Sequence, residues 1–414
     1  MRYAFMFLFM VFGFFLSWKF WDRFGVKTVL SYYFLRTLGV IIIWTCYYNE
    51  IPFDLRGWYA QTCWMVDLGK IPGRDFSTPY NLGFEILLYL AVWIYRSPFS
   101  ILVLFASLEM CSTYFLYQAF HKLCGEKVAK RSLLLFVTSP ICCSSAFFAQ
   151  DEPIMLLGAG VILWLLVNNK DKLIGIFSIL TFFFTKIFSP LYFLSFCLVS
   201  GKKTLWTTMI GICVYWGIAL LLGINPFDFQ FSEELETNAH THQNFGGMIT
   251  RGSVWRYLPD VSPTIPLLIT AVLLGIVALV FAAWLLNERQ ARKLRLMYAG
   301  LLSGALYLAF NLSYPMNFHQ YAVPIIPFVI VVFLERSNYL VADFICLGAW
   351  SFVECTVESG ASTFARFFVC AVLNVWLLCR LMMIGREAMS VPLNGIVAFC
   401  KVLFGKSSYN SSDM

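Results

Sequence analysis

The chain has 414 residues, of which 60% are hydrophobic, 18% aromatic and only 13% charged. Soluble domains are about one quarter charged, so this composition excludes an ordinary soluble globular protein. The formal net charge of +7 does not indicate nucleic-acid binding, because short cytoplasmic loops rich in Lys and Arg produce the same excess in membrane proteins.

Apolar stretches with the length of a bilayer crossing recur along the whole chain. We therefore predict an all-α polytopic membrane protein, a single integral membrane domain over residues 1–414 built from about 13 transmembrane helices. The predicted spans cover residues 4–18, 29–48, 99–121, 132–149, 154–168, two short spans within 173–200, 204–223, 265–286, 295–312, 321–334, 338–355 and 363–384.

Basic clusters orient these spans. Lys19, Arg23 and Lys27 follow the first span, which places that connection in the cytoplasm. The second span then delivers residues 49–98 to the extracytoplasmic face. The basic loops HKLCGEKVAKR and NERQARKLR, further along the chain, fall on the cytoplasmic side in the same count.

The first extracytoplasmic loop, residues 49–98, contains two turn signals, IPGRD and STPYN, with acidic and aromatic residues interleaved. A connection between two membrane helices needs only a few residues, so a loop of this length indicates a functional part. Within it, residues 83–95 are apolar but too short to span, and they predict a half-helix on the outer surface.

The apolar stretch 173–200 is interrupted by Lys186 and Pro190, and basic residues flank both of its ends. Both ends are therefore predicted to be cytoplasmic, with two short spans that meet near Lys186 on the outer side. The alternative is one tilted helix, which would reverse every span after it. A second long outer loop is predicted over 224–262, and an amphipathic tail over 385–414 along the cytoplasmic face.

The predicted outer face collects ten of the 23 acids and three of the four histidines: Glu50, Asp54, Asp67, Asp75, Asp151, Glu152, Asp228, Glu233, Glu234, Glu236, His240, His242 and His319. Carboxylates, imidazoles and aromatics on one face indicate chemistry or sugar binding there. A transporter would instead place ionisable groups near the midplane of discontinuous helices, and only Lys186 lies close to such a position.

The first outer loop presents a recognisable order of residues: Asp54, Tyr59, Gly69, the IPGRDF turn with Asp75 and Phe76, and then Tyr80. This order resembles the first outer loop of GT-C class membrane glycosyltransferases, which use polyprenyl-phosphate sugars. The similar branches include bacterial polyprenyl-phosphate-mannose transferases and the GPI first mannosyltransferase.

The resemblance covers roughly residues 30–200, through LLFVTSPICCSSAFFAQDEPIMLL and LIGIFSILTFFFTKIFSPLYF, with a looser echo at SYPMNFHQYAVPIIP. The fold it implies is a GT-C-like helix bundle with long extracytoplasmic loops. The chain departs from the family in one respect, because Glu50 and Asp54 stand four residues apart where the family often has a closely spaced acidic pair. This leaves open which carboxylate is the base and whether a divalent cation is bound.

Inverting transfer from a polyprenyl phosphate requires a carboxylate that takes the proton from the attacking hydroxyl. The leaving phosphate requires positive charge and N–H donors. We predict Asp54 as the base, with Glu50 as the second choice. The predicted phosphate-binding residues are Lys186, Arg251, Arg256 and His319, and the predicted sugar- or acceptor-binding residues are Asp75, Tyr59, Tyr80, Gln150, Asp151 and Glu152.

Each assignment has a structural alternative. Asp54 could be a solvated loop acid, Asp75 could hold its turn, and Asp151 with Glu152 could simply begin a helix. Lys186 could extend its ammonium to the interface. His240 and His242 lack a third ligand at suitable spacing, so we predict no metal site and no required cofactor, and a divalent cation stays open.

The predicted function is transfer of a hexose or pentose from a polyprenyl-phosphate donor to a lipid-linked or cell-envelope glycan. The alternatives are a lipid-linked glycan polymerase or ligase, and a transporter or flippase of a lipid-linked saccharide. The predicted location is the plasma (inner) membrane with an extracytoplasmic site, and the endoplasmic reticulum membrane is the alternative. The predicted partners are the donor, the glycan acceptor and the bilayer, without nucleic acid.

Overall fold

The computed structural model describes residues 25–76, 78, 80–186, 188–224, 254–257, 264–285, 292–314, 318–357 and 364–387, with isolated positions between residues 7 and 19. These parts of the chain are mostly helical and contain no β-sheet. Most of the predicted span 4–18, most of the loop 224–262 and nearly all of the tail 385–414 lie outside the described residues.

Ten α-helices are described in the first 224 residues: α1 (Val26–Ile42), α2 (Phe53–Leu68), α3 (Leu82–Ile94), α4 (Pro98–Cys124), α5 (Glu126–Val137), α6 (Pro140–Phe147), α7 (Glu152–Val167), α8 (Asp171–Phe183), α9 (Pro190–Ser200) and α10 (Lys202–Leu221). A π-helical segment, Ile43–Tyr48, continues α1. The later helices are α11 (Thr264–Leu285), α12 (Arg292–Ser313), α13 (Ile326–Arg336), α14 (Leu340–Val357) and α15 (Phe364–Glu387), with 3-10 turns at Val254–Tyr257 and His319–Ala322.

Several of these helices have the length and apolar character of membrane spans. Five segments within the described residues qualify: Lys27–Tyr48, Pro98–Cys124, Lys202–Leu221, Arg295–Ser313 and Phe364–Gly385. Four shorter apolar helices accompany them: Leu82–Ile94, Glu152–Val167, Pro190–Ser200 and Ile265–Leu279. The predicted class of helical membrane protein is confirmed, whereas the number of crossings stays a prediction.

Helix α12 forms the centre of the described bundle. Of its most apolar stretch, 94% is buried inside the protein, whereas only 17% of the corresponding stretch of α10 is buried. It packs against α9, α11, α13 and α15, whereas α10 exposes large apolar side chains along much of its length. A bilayer accepts such a surface, since lipid tails are as apolar as the side chains.

Residues 173–200 form two helices, so the alternative of one continuous helix is wrong, whereas two membrane crossings that meet on the outer side stay a prediction. Helix α8 ends at Phe183 and α9 begins at Pro190. Proline has no N–H and its ring would clash inside a helix, so it favours the first helical position. Lys186 therefore lies between two helix ends.

Two predicted elements differ from the structure. The segment predicted as the loop 49–98 contains α2 as well as α3, and α3 covers nearly all of the predicted half-helix 83–95. A position of α3 on the outer surface stays a prediction. Helix α2 ends at Gly69, whose φ of +64° is readily adopted only by glycine. The single span predicted over 132–149 is divided into α5 and α6, because Ser139 and Pro140 form a new helix start in which Ser139 Oγ accepts from the Cys142 N–H at 3.3 Å.

A buried ion pair joins α1 to α4. Arg36 Nη1 donates to Glu109 Oε1 at 2.9 Å, and Arg36 Nη2 donates to Glu109 Oε2 at 2.5 Å. Tyr33 OH donates to the same carboxylate at 3.2 Å. Such a two-point contact fits the planar guanidinium to the carboxylate. The positive charge of Arg36 and the negative charge of Glu109 balance each other.

Candidate functional site

Lys186 is the centre of a buried charged cluster. Its Nζ donates to Asp151 Oδ1 at 2.9 Å and to Glu152 Oε1 at 3.4 Å. The lysine comes from the turn between α8 and α9, whereas the acids come from the start of α7. Carboxylates at a helix start are favoured by the helix dipole. Asp151 and Glu152 therefore begin α7, as predicted, and they also pair with Lys186.

The charges of this cluster do not balance when both acids are ionised, because one ammonium faces two carboxylates. Glu152 is fully buried, and its Oε2 has no hydrogen-bond partner within the described part of the chain. A buried carboxylate oxygen without a donor is costly. The cluster therefore has an unused acceptor, and it carries excess negative charge only when both acids are ionised.

Aromatic rings surround Lys186. The centroids of the Tyr80 and Tyr321 rings lie 5.0 and 4.8 Å from Lys186 Nζ, within the range of cation–π attraction. Burial alone would lower the pKa of Lys186, but the Asp151 carboxylate outweighs it, and that pKa lies well above its usual value. The ammonium thus stays charged throughout the physiological range.

The segment 49–98 reaches this cluster through its main chain. Tyr80 and Lys186 form an antiparallel backbone bridge, and the Asn81 N–H donates to the Thr185 carbonyl at 3.0 Å. The Asn81 side chain donates to the Phe182 carbonyl at 2.7 Å, which satisfies a carbonyl at the end of α8. Tyr80 OH donates to Asp151 Oδ1 at 3.2 Å. Burial, the largest cause, raises the pKa of Tyr80, so it acts as a neutral donor.

Asp54, the predicted base, is connected to the same region. It lies half-buried in the first turn of α2, and its Oδ2 accepts from Gln150 Nε2 at 2.7 Å. Gln150 Oε1 in turn accepts from Gln320 Nε2 at 3.0 Å. Gln150 directly precedes Asp151, so Asp54 and Lys186 are hydrogen-bonded to adjacent residues of the chain.

His319 enters from the 3-10 turn at the end of the SYPMNFHQ segment. Its Nε2 lies 2.8 Å from Ser144 Oγ, and the donor depends on the tautomer. Tyr192 OH donates to the Tyr321 carbonyl at 2.9 Å and fixes this turn against α9. The turn therefore supplies His319, Gln320 and Tyr321 to one region.

The structure thus brings together seven of the predicted site residues: Asp54, Tyr80, Gln150, Asp151, Glu152, Lys186 and His319. Glu50 is exposed beyond the π-helical segment. Tyr59 is half-buried on α2. Arg251 and the side chain of Arg256 lie outside the described residues.

Asp75 holds its own turn. Its Oδ1 lies 3.0 Å from Arg74 Nε, and its Oδ2 accepts from the Ile71 N–H at 2.7 Å. The bond from Arg74, followed by the one from Ile71, lowers the pKa of Asp75. The carboxylate is exposed, and these contacts account for a turn-structuring role.

Sequence reasoning missed Gln320, Ser144 and Tyr321. Gln320 and Tyr321 directly follow His319 in a segment already identified by resemblance, so that segment was the available signal. Ser144 had no signal, because its meeting with His319 joins residues far apart in the chain. In the described part of the chain no three His, Cys, Asp or Glu side chains are grouped to hold a metal ion.

Comparison with protein families gives one match: the sequence model of glycosyltransferase family 87 matches residues 82–310, more than half of the chain. The matched region contains Gln150, Asp151, Glu152 and Lys186, whereas Asp54 and His319 lie on either side of it. No curated protein and no solved structure is significantly similar to the chain.

Proposed function

Since this chain belongs to glycosyltransferase family 87, we propose that it transfers a sugar from a polyprenyl-phosphate donor to a lipid-linked or cell-envelope glycan. In the proposed reaction the acceptor and the donor head group meet on the extracytoplasmic side of the plasma membrane. The endoplasmic reticulum membrane is the alternative location. The active site is the region joined by Asp54, Gln150 and the Lys186 cluster.

One observation supports this proposal most strongly. A half-buried carboxylate, Asp54, is linked through a single side chain to the segment that carries the buried ammonium of Lys186. Transfer from a phosphate-linked sugar needs these two kinds of group, a proton acceptor and a positive charge. Both lie at chain reversals between helices, where a lipid phosphate can arrive with its tail in the bilayer.

In the proposed reaction the acceptor hydroxyl oxygen attacks the anomeric carbon. A new C–O bond forms while the bond from the anomeric carbon to the phosphate oxygen breaks, and the phosphate leaves with the electron pair. Asp54 takes the hydroxyl proton as the attack proceeds. The attack from the face opposite the phosphate inverts the anomeric centre, and phosphate is a good enough leaving group to need no carboxylic acid.

The predicted phosphate-binding residues differ in the groups to which they are bonded in the structure. Lys186 is bonded to both carboxylates, so its contact with a phosphate requires the phosphate to replace a carboxylate. His319 Nε2 is bonded to the Ser144 hydroxyl. The candidates for the phosphate are therefore Lys186 and His319, with Arg251 and Arg256. A divalent cation is not required by this proposal.

The test is sugar transfer in membranes that contain the protein, with a panel of radiolabelled polyprenyl-phosphate sugars. At matched expression, Asp54→Asn should lose at least about a hundredfold in rate, as removal of a general base does. Glu50→Gln is the matched control and should stay close to wild type, because Glu50 is exposed outside the network.

Two outcomes would contradict the proposal at different levels. Equal rates for Asp54→Asn and wild type would remove Asp54 as the base, and loss in Glu50→Gln alone would transfer the role to Glu50. Movement of intact lipid-linked saccharide across the membrane without transfer would instead support a flippase.

A further inference from the structure

Two buried glutamines lie in series behind Asp54. Gln320 Nε2 donates to Gln150 Oε1 at 3.0 Å, and Gln150 Nε2 donates to Asp54 Oδ2 at 2.7 Å. The two glutamines come from distant segments, the 3-10 turn at His319–Ala322 and the turn between α6 and α7. Neither contact is demanded by secondary structure.

The series has a direction. A glutamine amide has a donor end and an acceptor end, and the surrounding hydrogen bonds decide which end points where. Because Gln320 offers its NH2 group to the oxygen of Gln150, the NH2 group of Gln150 must point the other way. That end faces Asp54, where an ionised carboxylate can only accept.

The main chain holds both glutamines in place. The Gln150 N–H donates to the Ser145 carbonyl at 3.0 Å, and the preceding residue, Ala149, has a left-handed φ of +54°. A non-glycine residue in this conformation is uncommon and costs free energy. The surrounding packing thus maintains a turn that directs Gln150 towards Asp54.

We propose that Gln320 and Gln150 form an amide relay that orients the Asp54 carboxylate and favours its ionised form. This inference rests on the proposed role of Asp54 as the base. Both glutamines are positioning residues, since they act on the reacting atoms through Asp54. The arrangement supplies a donor to the base without a second charge beside the acceptor hydroxyl.

Other charged groups surround this relay and act on Asp54 as well. Asp151 and Glu152 follow Gln150, Lys186 pairs with both, and His319 precedes Gln320. Arg56 lies on α2 with Asp54. The test therefore leaves each of these groups in place.

Two substitutions at Gln320 separate the relay from a packing role. Gln320→Glu keeps the shape, but an ionised glutamate can only accept, so Gln150 would turn its NH2 group towards residue 320 and its oxygen towards Asp54. Gln320→Met removes the donor and leaves Gln150 free to keep its present orientation. The relay therefore predicts a larger loss for Glu than for Met, whereas a packing role predicts the reverse.

The kinetic readout is the pH profile of kcat/KM for sugar transfer. Gln320→Glu should lose at least about tenfold at neutral pH, since hydrogen bonds to charged groups contribute most strongly. Its acid limb should move to higher pH, because the ionised carboxylate has lost a donor. Gln150→Met should behave like Gln320→Glu. The control is Gln61→Glu, the same change on the helix that carries Asp54, and it should leave the pH profile unchanged.

A second readout needs no substrate. Carbodiimides attack protonated carboxyl groups, so the labelled fraction of Asp54 at fixed pH, measured by mass spectrometry, reports its protonation. Labelling should increase in Gln320→Glu and Gln150→Met but not in Gln61→Glu. Unchanged labelling in the first two variants, or a larger effect of Gln320→Met than of Gln320→Glu, would overturn the relay.

The two readouts keep this inference distinct from the proposed function. If wild type transfers no sugar while the labelling shifts as expected, the relay stands and the proposed reaction fails. If wild type transfers sugar and Asp54→Asn does not, yet the Gln320 variants behave like wild type in both readouts, the reaction stands and the relay fails.

Discussion

The Arg36–Glu109 pair and the Lys186 cluster are both buried, yet they differ in charge balance and in position. Arg36 and Glu109 neutralise each other through two contacts between the middles of two helices. In the cluster, Lys186 faces two carboxylates at helix ends, and Glu152 Oε2 has no partner among the described residues.

The difference separates a pair that holds helices together from the cluster for which we propose a role in sugar transfer. A matched pair with every bond made has nothing further to offer a ligand. The Lys186 cluster has an unused acceptor, and Gln150 connects it to the Asp54 carboxylate. Such a cluster retains capacity for proton transfer and for exchange of hydrogen-bond partners. Burial alone does not distinguish these two cases, since both clusters are excluded from water.

The largest expected effect concerns the matched pair. Glu109→Ala should lower the free energy of unfolding by about 3–5 kcal/mol, because it leaves the Arg36 charge buried without a counterion. The double variant Arg36→Met with Glu109→Leu should recover most of that loss, because both charges are then absent. Thermal unfolding in detergent measures both. A single variant as stable as wild type, or a double variant no better than the single, would contradict the assignment as a structural pair.

The next effect tests the imbalance in the Lys186 cluster. Asp151→Asn should cost about 1.5–3 kcal/mol of folding stability, because Asp151 accepts from both Lys186 and Tyr80 and bonds to charged groups are the stronger ones. Glu152→Gln should cost less, since the amide oxygen can still accept from Lys186 and no carboxylate oxygen is left buried without a donor. Unfolding midpoints of the two variants, measured side by side, check the order, and the reverse order would show that Glu152 is the principal counterion.

The smallest effect tests how tightly α3 packs against the end of α8. A Cβ at Gly83 would lie 2.5 Å from Phe183 Cδ1 and 2.6 Å from the Phe183 carbonyl oxygen, so Gly83→Ala should cost about 1–3 kcal/mol by overpacking. Gly57→Ala on α2 is the control, because a Cβ there meets nothing within 4 Å and alanine favours a helix. Equal stability of the two variants would mean that the contact relaxes easily.

Local chemistry in the sequence predicted much of this fold. Pro190 and the flanking basic residues indicated the break beside Lys186, and Asp151 with Glu152 before Pro153 indicated the start of α7. Helix α2 was missed because its many polar residues were interpreted as a loop, although Gly69 is a typical helix end. The division at Ser139 and Pro140 was missed because apolar content was weighed above these two start signals.

The site itself was predictable only as a set of residue types. Asp54, Gln150 and Lys186 could each be selected for their chemistry, but their meeting depends on contacts between segments far apart in the chain. Gln320 shows the limit most clearly, since its importance comes wholly from the orientation that it imposes on Gln150. One sequence contains no direct record of such pairings.

The main-chain bonds between Asn81 and Thr185 have a consequence for motion. By sequence, residues 77–81 are the tip of an outer loop, where fast local opening is expected. In the structure the Asn81 N–H is bonded to the Thr185 carbonyl, and the Leu82 N–H donates to Tyr215 OH on α10 at 3.0 Å. These amides therefore belong to the slowly exchanging unit of the bundle, and Tyr80 and Lys186 move together as one body.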